Sequence, residues 1–244
     1  MAKGDGPSPG RRAADRGRYG KLSRERVLAA ALELVDREGL SALSMRRVGS
    51  ELGVEAMALY RYAPSKDALL DGLVEALYLE LQDFLANGGE EAPGGAAGGP
   101  EWRTELHRIA GATYQVALAH PQVVPLLATR MLAVPLARRP LAILQDHERV
   151  LTLLEQAGLD TSQAADAFRA YTSWVLGYIF VELRAMVDNP DEPDPAFRLG
   201  LHRMPAQELP RLREIAPTLA EHGGPQGLAA GLDALLDCFA QTAS

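Results

Sequence analysis

The 244-residue sequence predicts an all-α protein. Apolar side chains recur at intervals of three and four residues along most of the chain, which is the spacing of one face of a helix. No run alternates apolar and polar residues over the length of a strand. Ser, Asp, Gly and Pro stand between the periodic segments, where helices commonly begin and end. Because 47% of the residues are hydrophobic, the helices can enclose a substantial core.

Two short helices open the periodic part of the chain. The first is predicted over residues 24–38, with Gly39 marking its end. Ser44 can cap the second, because its hydroxyl oxygen can accept from an otherwise unpaired backbone N–H. The apolar side chains within residues 45–52 then fall on one face of that helix. Gly53 follows at the position where a chain that leaves a helix commonly needs a positive φ.

A third short helix is predicted from Ala56 to Tyr62, with Leu59 facing inward. Pro64 ends it, and Ser65 caps the next helix. The pattern is that of a helix-turn-helix, whose second helix enters the major groove of DNA in proteins that use it. The side chains expected to face outward are Met57, Ala58, Tyr60, Arg61 and Tyr62.

The rest of the chain is also predicted to be helical. His120-Pro121 breaks the pattern in the middle, and Asp160 or Thr161 caps a long apolar helix. Loops rich in Gly, Ala or Pro are expected at residues 88–100 and 188–205. Helices are expected over residues 65–86 and 101–119, in a short segment reaching 129, and over 136–157, 161–187, 206–221 and 226–242.

The helices near residues 161–187 and 226–242 are apolar on more than one face. Such a helix must be covered on several sides. One side can face the protein's own core, and another can face a second subunit in a four-helix interface around a two-fold axis. The sequence therefore predicts a homodimer, with a monomeric core as the alternative.

Charge is distributed unevenly along the chain. The whole sequence has 25 basic and 32 acidic residues, yet residues 1–64 carry 12 basic and 8 acidic side chains. This asymmetry indicates that a basic surface suited to nucleic acid lies only at the N-terminal end of the chain. Residues 1–21 mix Arg with Gly and Pro, so we expect a basic arm that is disordered without DNA. The arm is either a solubilising tail or a contact to phosphates or the minor groove.

Membrane insertion and secretion are not expected. The longest uncharged apolar run, residues 170–181, has 12 residues and is shorter than the roughly 18–20 that a membrane helix needs. The basic N-terminus has no apolar stretch behind it. Cys238 is the single cysteine, so no intramolecular disulfide can form, and we expect it to be a buried small hydrophobe. These observations predict a cytoplasmic protein.

Motifs of catalysis are missing from the sequence. It has no P-loop, no Gly-rich dinucleotide fingerprint, no Gly-x-Ser-x-Gly elbow and no pair of histidines at metal-binding spacing. The cluster Asp146-His147-Glu148 is interpreted as surface, because adjacent residues of a helix point in different directions. We therefore expect no enzyme activity, no cofactor and no metal site.

The N-terminal pattern resembles the TetR family of bacterial transcriptional repressors. The matching phrases, within about residues 22–75, include Ala30-Ala31-Leu32-Glu33-Leu34, Leu43-Ser44-Met45-Arg46, Leu52-Gly53-Val54 and Leu59-Tyr60-Arg61-Tyr62. His120-Pro121 and Leu176-Gly177 look like the tetracycline-repressor type of C-terminal domain. After the basic arm at 1–21, the resemblance implies a DNA-binding domain at 22–66 and a ligand-binding and dimerisation domain at 67–244.

The resemblance also implies a DNA-contacting set. Arg46 matches a position that can reach a base, and a solvated helix face is the alternative. Met57 and Ala58 depart from the family's common pattern, so contact with a thymine methyl replaces a hydrogen bond there. For Tyr60 the alternative is core packing. The positions that usually touch phosphates are Ser44, Tyr60, Tyr62 and Lys66; the base-facing end of the recognition helix holds Glu55, Ala56, Met57, Ala58 and Arg61.

The larger domain is expected to hold a small-molecule effector, hydrophobic or aromatic in character. Tetracycline with magnesium is not favoured, because residues 127–130 offer no histidine to coordinate a metal. Each candidate alone is more often core than ligand contact. The candidates are Trp102, His107, Tyr114, Met131, His147, Phe168, Tyr171, Trp174 and Tyr178.

Three functions remain open at this point. The first is a repressor that binds a palindromic double-stranded DNA operator as a homodimer and is released by a small molecule. The second is a transcriptional activator or an effector-independent DNA binder. The third is a helical small-molecule-binding protein without a DNA function.

Overall fold

The computed structural model describes residues 22–88, 99–188, 205, 208–220 and 223–242. Within these ranges the regular structure is entirely helical, as predicted. The predicted basic arm at 1–21 lies outside them, as do most residues of the predicted loops at 88–100 and 188–205. No helix in the described ranges combines the length and the apolar character needed to cross a bilayer.

Ten α-helices and two short 3-10 turns make up the described structure. The 3-10 turns are Leu40–Ala42, after the first helix, and Leu136–Arg138, after the sixth. The helices are α1 (Arg24–Glu38), α2 (Met45–Leu52), α3 (Ala56–Leu59), α4 (Lys66–Ala86), α5 (Glu101–Ala119), α6 (Val124–Ala133), α7 (Leu141–Gln156), α8 (Thr161–Asp188), α9 (Pro210–Ala220) and α10 (Gly224–Thr242).

The predicted helix caps of the N-terminal region are confirmed. The Ser44 hydroxyl accepts from the backbone N–H of Arg47, and the Ser65 hydroxyl accepts from that of Ala68. Gly53 adopts the left-handed conformation with φ 66°, which suits a residue without a Cβ. These local interactions fix the ends of α2 and the start of α4.

Two predicted boundaries are wrong. The helix predicted over Ala56 to Tyr62 ends at Leu59, and the next three residues form a turn. The helix predicted from residue 136 begins at Leu141, because Pro140 disfavours helical backbone at Arg139, which is extended with ψ 148°. Arg139 therefore lies outside α7, in the turn that precedes it.

Helices α1 to α3 share a core whose central leucines are fully buried, among them Leu34, Leu43 and Leu59. Helix α1 packs on α4, where a Cβ at Gly72 would lie 2.3 Å from a Leu28 methyl carbon. In the larger part, α5 contacts α4, α7, α8 and α10, and α8 packs along α10. Helix α4 therefore belongs to both cores and joins the small N-terminal unit to the rest.

Polar contacts reinforce this junction. His120, which follows α5, places Nδ1 2.7 Å from a carboxylate oxygen of Asp36 on α1. Its Nε2 lies 2.9 Å from a carboxylate oxygen of Glu80 on α4. Arg24 donates to Glu75 on α4 and to the backbone oxygen of Tyr62. The N-terminal unit is thus tied both to α4 and to the end of α5.

Gly49 marks the closest approach within the helix-turn-helix. A Cβ at this position would lie 2.8 Å from the backbone oxygen of Val54, which no side-chain rearrangement can relieve. We expect Gly49→Ala to lower the free energy of unfolding by about 1–3 kcal/mol through overpacking, although alanine's better helix propensity offsets up to about 1 kcal/mol. Urea denaturation followed by circular dichroism measures the change.

Gly177→Ala provides the matched control for that substitution. Gly177 also lies inside a helix, but a Cβ there meets no atom within 4 Å. Within the single chain, we expect this substitution to raise the free energy of unfolding by about 0.5–1 kcal/mol. The comparison is made at a protein concentration low enough to keep both variants monomeric. Equal effects of the two substitutions would contradict the tight crossing at Gly49.

Candidate DNA-binding surface and effector cavity

The outer surface of α2 presents two neighbouring arginines with different surroundings. Arg47 forms an ion pair with Glu38, and Arg37 pairs with Glu38 and Glu51 nearby. Arg46 is exposed and has no hydrogen-bond or ion-pair partner within the described part of the chain. Its guanidinium is therefore free to bind a group outside the protein, which suits the role predicted for it.

The segment around α3 is also open on its outer side. Met57 is 78% exposed, although it is apolar, and Tyr60 is 45% exposed. Tyr60 is therefore not packed in the core, which was the alternative for this residue. Leu59 is fully buried and anchors the segment to the N-terminal core. Glu55, Ala58, Arg61 and Lys66 are exposed, whereas Ser44 and Ala56 are half-buried.

Tyr62 differs from its prediction. It was expected to face outward with the rest of the segment, but it is half-buried, and its hydroxyl donates to the backbone oxygen of Leu22 at 2.8 Å. The chain turns after Leu59, so Tyr62 packs toward the start of α1. Its side chain holds the N-terminal end of the helical unit in place.

A cavity of about 570 Å³ lies in the larger part of the chain. Its size falls within the roughly 300–1,000 Å³ of typical ligand sites. Helix α8 supplies most of the wall, with Phe168, Thr172, Leu176 and Phe180 repeating at four-residue spacing. Leu127, Arg139 and His147 line it from α6, the turn after it, and α7.

The structure brings two of the predicted ligand residues, His147 and Phe168, into this cavity. Their rings meet edge to face, with centroids 5.1 Å apart. Sequence reasoning missed Arg139, Thr172, Leu176 and Phe180. The four-residue repeat on α8 was a signal available for three of them, but the helix is apolar on several faces, so periodicity could not choose the right one.

Other predicted ligand residues serve packing. Tyr171 is buried and donates to the Leu106 backbone oxygen, and Trp174 donates to that of Leu228. Tyr178 donates to the Gly224 backbone oxygen, and its ring lies 6.4 Å from that of the buried Tyr114. These aromatic side chains fix α10 against α5 and α8.

His107 and Trp102 also lie away from the large cavity. His107 is buried, with Nε2 2.9 Å from an Asp233 carboxylate oxygen that Arg103 also contacts. Trp102 lines a void of about 10 Å³ between α5 and α10. Met131 is part of α6, and its side chain lies outside what the structure describes.

His147 has an unusual environment for a polar side chain. It is 7% exposed, and neither ring nitrogen has a hydrogen-bond partner within the described residues. Burial, with the nearby positive charge of Arg139, lowers its pKa to about 4. The imidazole is therefore neutral at pH 7, with a donor and an acceptor available to a bound molecule.

The interpretation of Asp146-His147-Glu148 as surface is wrong for its first two members. Asp146 is half-buried, and burial raises the pKa of its carboxyl to about 6, against the opposing charge of Arg149. Of the three, only Glu148 is exposed.

The prediction that Cys238 is buried is also wrong, because this residue is exposed in the single chain. On α7 and α10, the burial of these side chains therefore differs from what the local sequence pattern indicated.

No group of three or more His, Cys, Asp or Glu side chains in the described ranges could hold a metal ion. The arrangement as a whole combines an exposed helix-turn-helix with a helical domain that contains an apolar cavity. This combination defines the class of helix-turn-helix regulatory proteins with a ligand-binding domain on the same chain.

Comparison with known proteins specifies the family. Residues 27–73 match the family described as "Bacterial regulatory proteins, tetR family", and residues 95–242 match "Tetracyclin repressor-like, C-terminal domain". Because the second match alone covers more than half of the chain, the protein belongs to the TetR family, as its sequence suggested.

Similar proteins agree with this assignment. The HTH-type transcriptional repressor DrrR1 of Streptomyces coeruleorubidus is 34% identical over 166 residues. The match covers 68% of this chain and 56% of the length of that repressor. Tetracycline repressor protein class D of Escherichia coli is 26% identical over 223 residues, covering 90% of this chain and 89% of its own. A possible TetR family regulator from Streptomyces coelicolor A3(2) has a crystal structure that superposes with a TM-score of 0.71 at 26% identity, over 90% of this chain and all of that one.

Proposed function

We propose that the protein is a ligand-responsive transcriptional repressor that binds a palindromic operator as a homodimer and is released by a small hydrophobic or aromatic molecule. The observation that carries this proposal is the exposed Arg46, without a partner among the described residues, beside an exposed recognition segment. Arg47 and Arg37, on the same unit, are ion-paired. The similarity to proteins named as repressors supports repression rather than activation.

A division of roles among the contacts follows from the exposed surface. Arg46 reads a base by bidentate hydrogen bonds, most commonly to guanine. Met57 and Ala58 contact a thymine methyl. Lys66, at the first turn of α4, binds phosphate and contributes affinity that falls with salt.

The homodimer is proposed to form through the outer faces of α8 and α10. On α8 the exposed positions include Ser173, Gly177 and Val181, of which Val181 is 72% exposed. On α10 the corresponding positions include Ala230 and Ala234. Small side chains allow two helices to approach closely, and a two-fold pairing would cover the exposed apolar surface. The large cavity reaches the same face of α8, so the second subunit would cover that side of it.

Regulation is proposed to pass through the junction between the two parts. Binding in the cavity shifts an equilibrium between dimer geometries, by no more than the effector's differential affinity for them. The contacts of His120 to Asp36 and Glu80 connect the end of α5 to α1 and α4. A displacement of α5 or α6 would in this way reorient the recognition segment.

A gel shift with the DNA upstream of the protein's own gene tests this proposal. We expect a sequence-specific shift that weakens between 50 and 200 mM salt and that is relieved by an effector. A scrambled duplex of equal length is the control. No sequence-specific shift would refute the proposal, and a shift that no small molecule relieves would favour an effector-independent DNA binder instead.

A further inference from the structure

We infer that the effector is an aromatic acid, whose anionic group binds the Arg139 guanidinium while its rings occupy the cavity of about 570 Å³. This inference rests on the proposed function and specifies the chemical class of the effector. It depends on three features of the described residues: an available guanidinium, a cavity wall to which they contribute no carboxylate, and a buried imidazole that has no partner among them.

Arg139 stands where two cavities meet. It lines the large cavity and also a second one of about 250 Å³, together with Arg24, Arg130 and Arg138. Its Nε donates to the backbone oxygen of Val134 at 3.2 Å, and no carboxylate of the described residues lies within ion-pair distance. The other N–H groups of its guanidinium remain available for a bidentate contact to an acid.

Nearby arginines are already engaged. Arg24 pairs with Glu75, and Arg130 pairs with Asp67 and Asp71. Arg169, the second charged residue of the large cavity, pairs with Asp166 on the outer face of α8. Within the described part of the chain, Arg139 is therefore the unneutralised cation of the cavity wall.

A cationic effector finds no equivalent partner there. Among the described residues, none that lines the large cavity is Asp or Glu. Asp146 lines a separate neighbouring void of about 30 Å³. The electrostatics of the large cavity thus favour a negative ligand.

His147 supplies the second polar contact. Its ring is buried in the wall, and neither nitrogen has a partner within the described residues. A buried polar group without a hydrogen-bond partner destabilises the protein. A ligand oxygen that accepts from the imidazole N–H would therefore be bound more tightly. Apolar surface from Phe168, Leu176 and Phe180 surrounds the rest of the site and suits aromatic rings.

Two fluorescent probes with the same rings test this inference. Anilinonaphthalene sulfonate carries one negative charge, and phenylnaphthylamine is its uncharged counterpart. We expect Arg139→Gln to weaken sulfonate binding about tenfold or more and to change amine binding less than about twofold. Arg138→Gln is the matched control, because this exposed neighbour lines only the smaller cavity. It should change neither affinity.

Two further variants make the test decisive. Arg139→Lys keeps the charge but cannot form the bidentate contact, so its sulfonate affinity should lie between those of the wild type and Arg139→Gln, which separates electrostatics from a folding defect. Leu176→Trp fills the cavity and should weaken both probes. Equal effects of Arg139→Gln on the two probes, no effect on either, no binding of either probe by the wild type, or full binding of both by Leu176→Trp would each overturn the inference.

Operator binding by the wild type, measured without probe, separates this inference from the proposed function. Specific operator binding together with probe affinities that are indifferent to Arg139 would overturn only the aromatic-acid assignment. Sulfonate binding that depends on Arg139, together with no operator binding, would refute the repressor function and leave the binding chemistry of the cavity in place.

Discussion

Replacing Arg46 by Ala is expected to lower the affinity for the operator at least about tenfold. A bidentate arginine-to-base contact discriminates by about 1–3 kcal/mol, and the proposed symmetric dimer would lose two such contacts. Arg46 has no partner in the described part of the chain, so its removal leaves no buried carboxylate behind. The protein should therefore fold normally and lose binding. Fluorescence anisotropy with the operator duplex measures the change.

Arg47→Ala is the matched control, since Arg47 is adjacent, is also exposed and pairs with Glu38. Its loss should alter stability by less than about 0.5 kcal/mol and operator affinity only slightly. Lys66→Ala should instead weaken binding to all sequences and reduce the salt dependence, because it would remove the proposed phosphate contact. If Arg46→Ala and Arg47→Ala weakened operator binding equally, the assignment of Arg46 to base reading would be wrong.

Acidification provides the second large effect, through His147. The unfolded chain protonates this histidine below pH 6.5, whereas the folded protein does so only near pH 4. Stability from the neutral buried ring is complete above pH 6.5 and is lost as the pH falls toward 4, by about 3 kcal/mol. His147→Phe keeps an aromatic ring beside Phe168 and removes this loss. Relative to the wild type, the variant should gain about 3 kcal/mol in free energy of unfolding between pH 7 and pH 4.

Asp146 acts in the opposite direction. Its carboxyl pKa is raised from 3.8 to about 6, so the folded protein takes up this proton first and gains stability as the pH falls through that range. Asp146→Asn should consequently lose stability relative to the wild type over the same interval. Urea denaturation of the three proteins at pH 7 and pH 4 distinguishes the two groups. A difference between His147→Phe and the wild type that does not change with pH would show that the ring is not held neutral by burial.

Local signals account for the features of the N-terminal unit that could be predicted. Ser44 and Ser65 cap helices through hydrogen bonds to residues three positions away, and Gly53 takes up a conformation that its own lack of a Cβ permits. Such interactions depend on neighbouring residues, so sequence spacing reveals them. The inward position of Tyr62 involves a hydrogen bond to Leu22, 40 positions away, which no local pattern shows.

The cavity could be predicted only in part, because its walls come from separate helices. Phe168 and Tyr171 stand three residues apart on α8, yet one lines the cavity and the other donates to Leu106 in the core. His107 is paired with Asp233, which lies 126 positions away. Arg139 reaches the cavity only because Pro140 separates it from α7. Periodicity identifies apolar faces, but tertiary packing decides what each face contacts.

The central claim is that two copies of this chain place their recognition segments together in successive major grooves. Native mass spectrometry of the protein with its operator duplex, followed by hydroxyl-radical footprinting of the complex, tests this claim most directly. We predict two chains per duplex and two protected half-sites about 10–10.5 base pairs apart, or a multiple of that spacing. A single chain on the duplex, or protection unchanged when residues 56–62 are mutated, would contradict it.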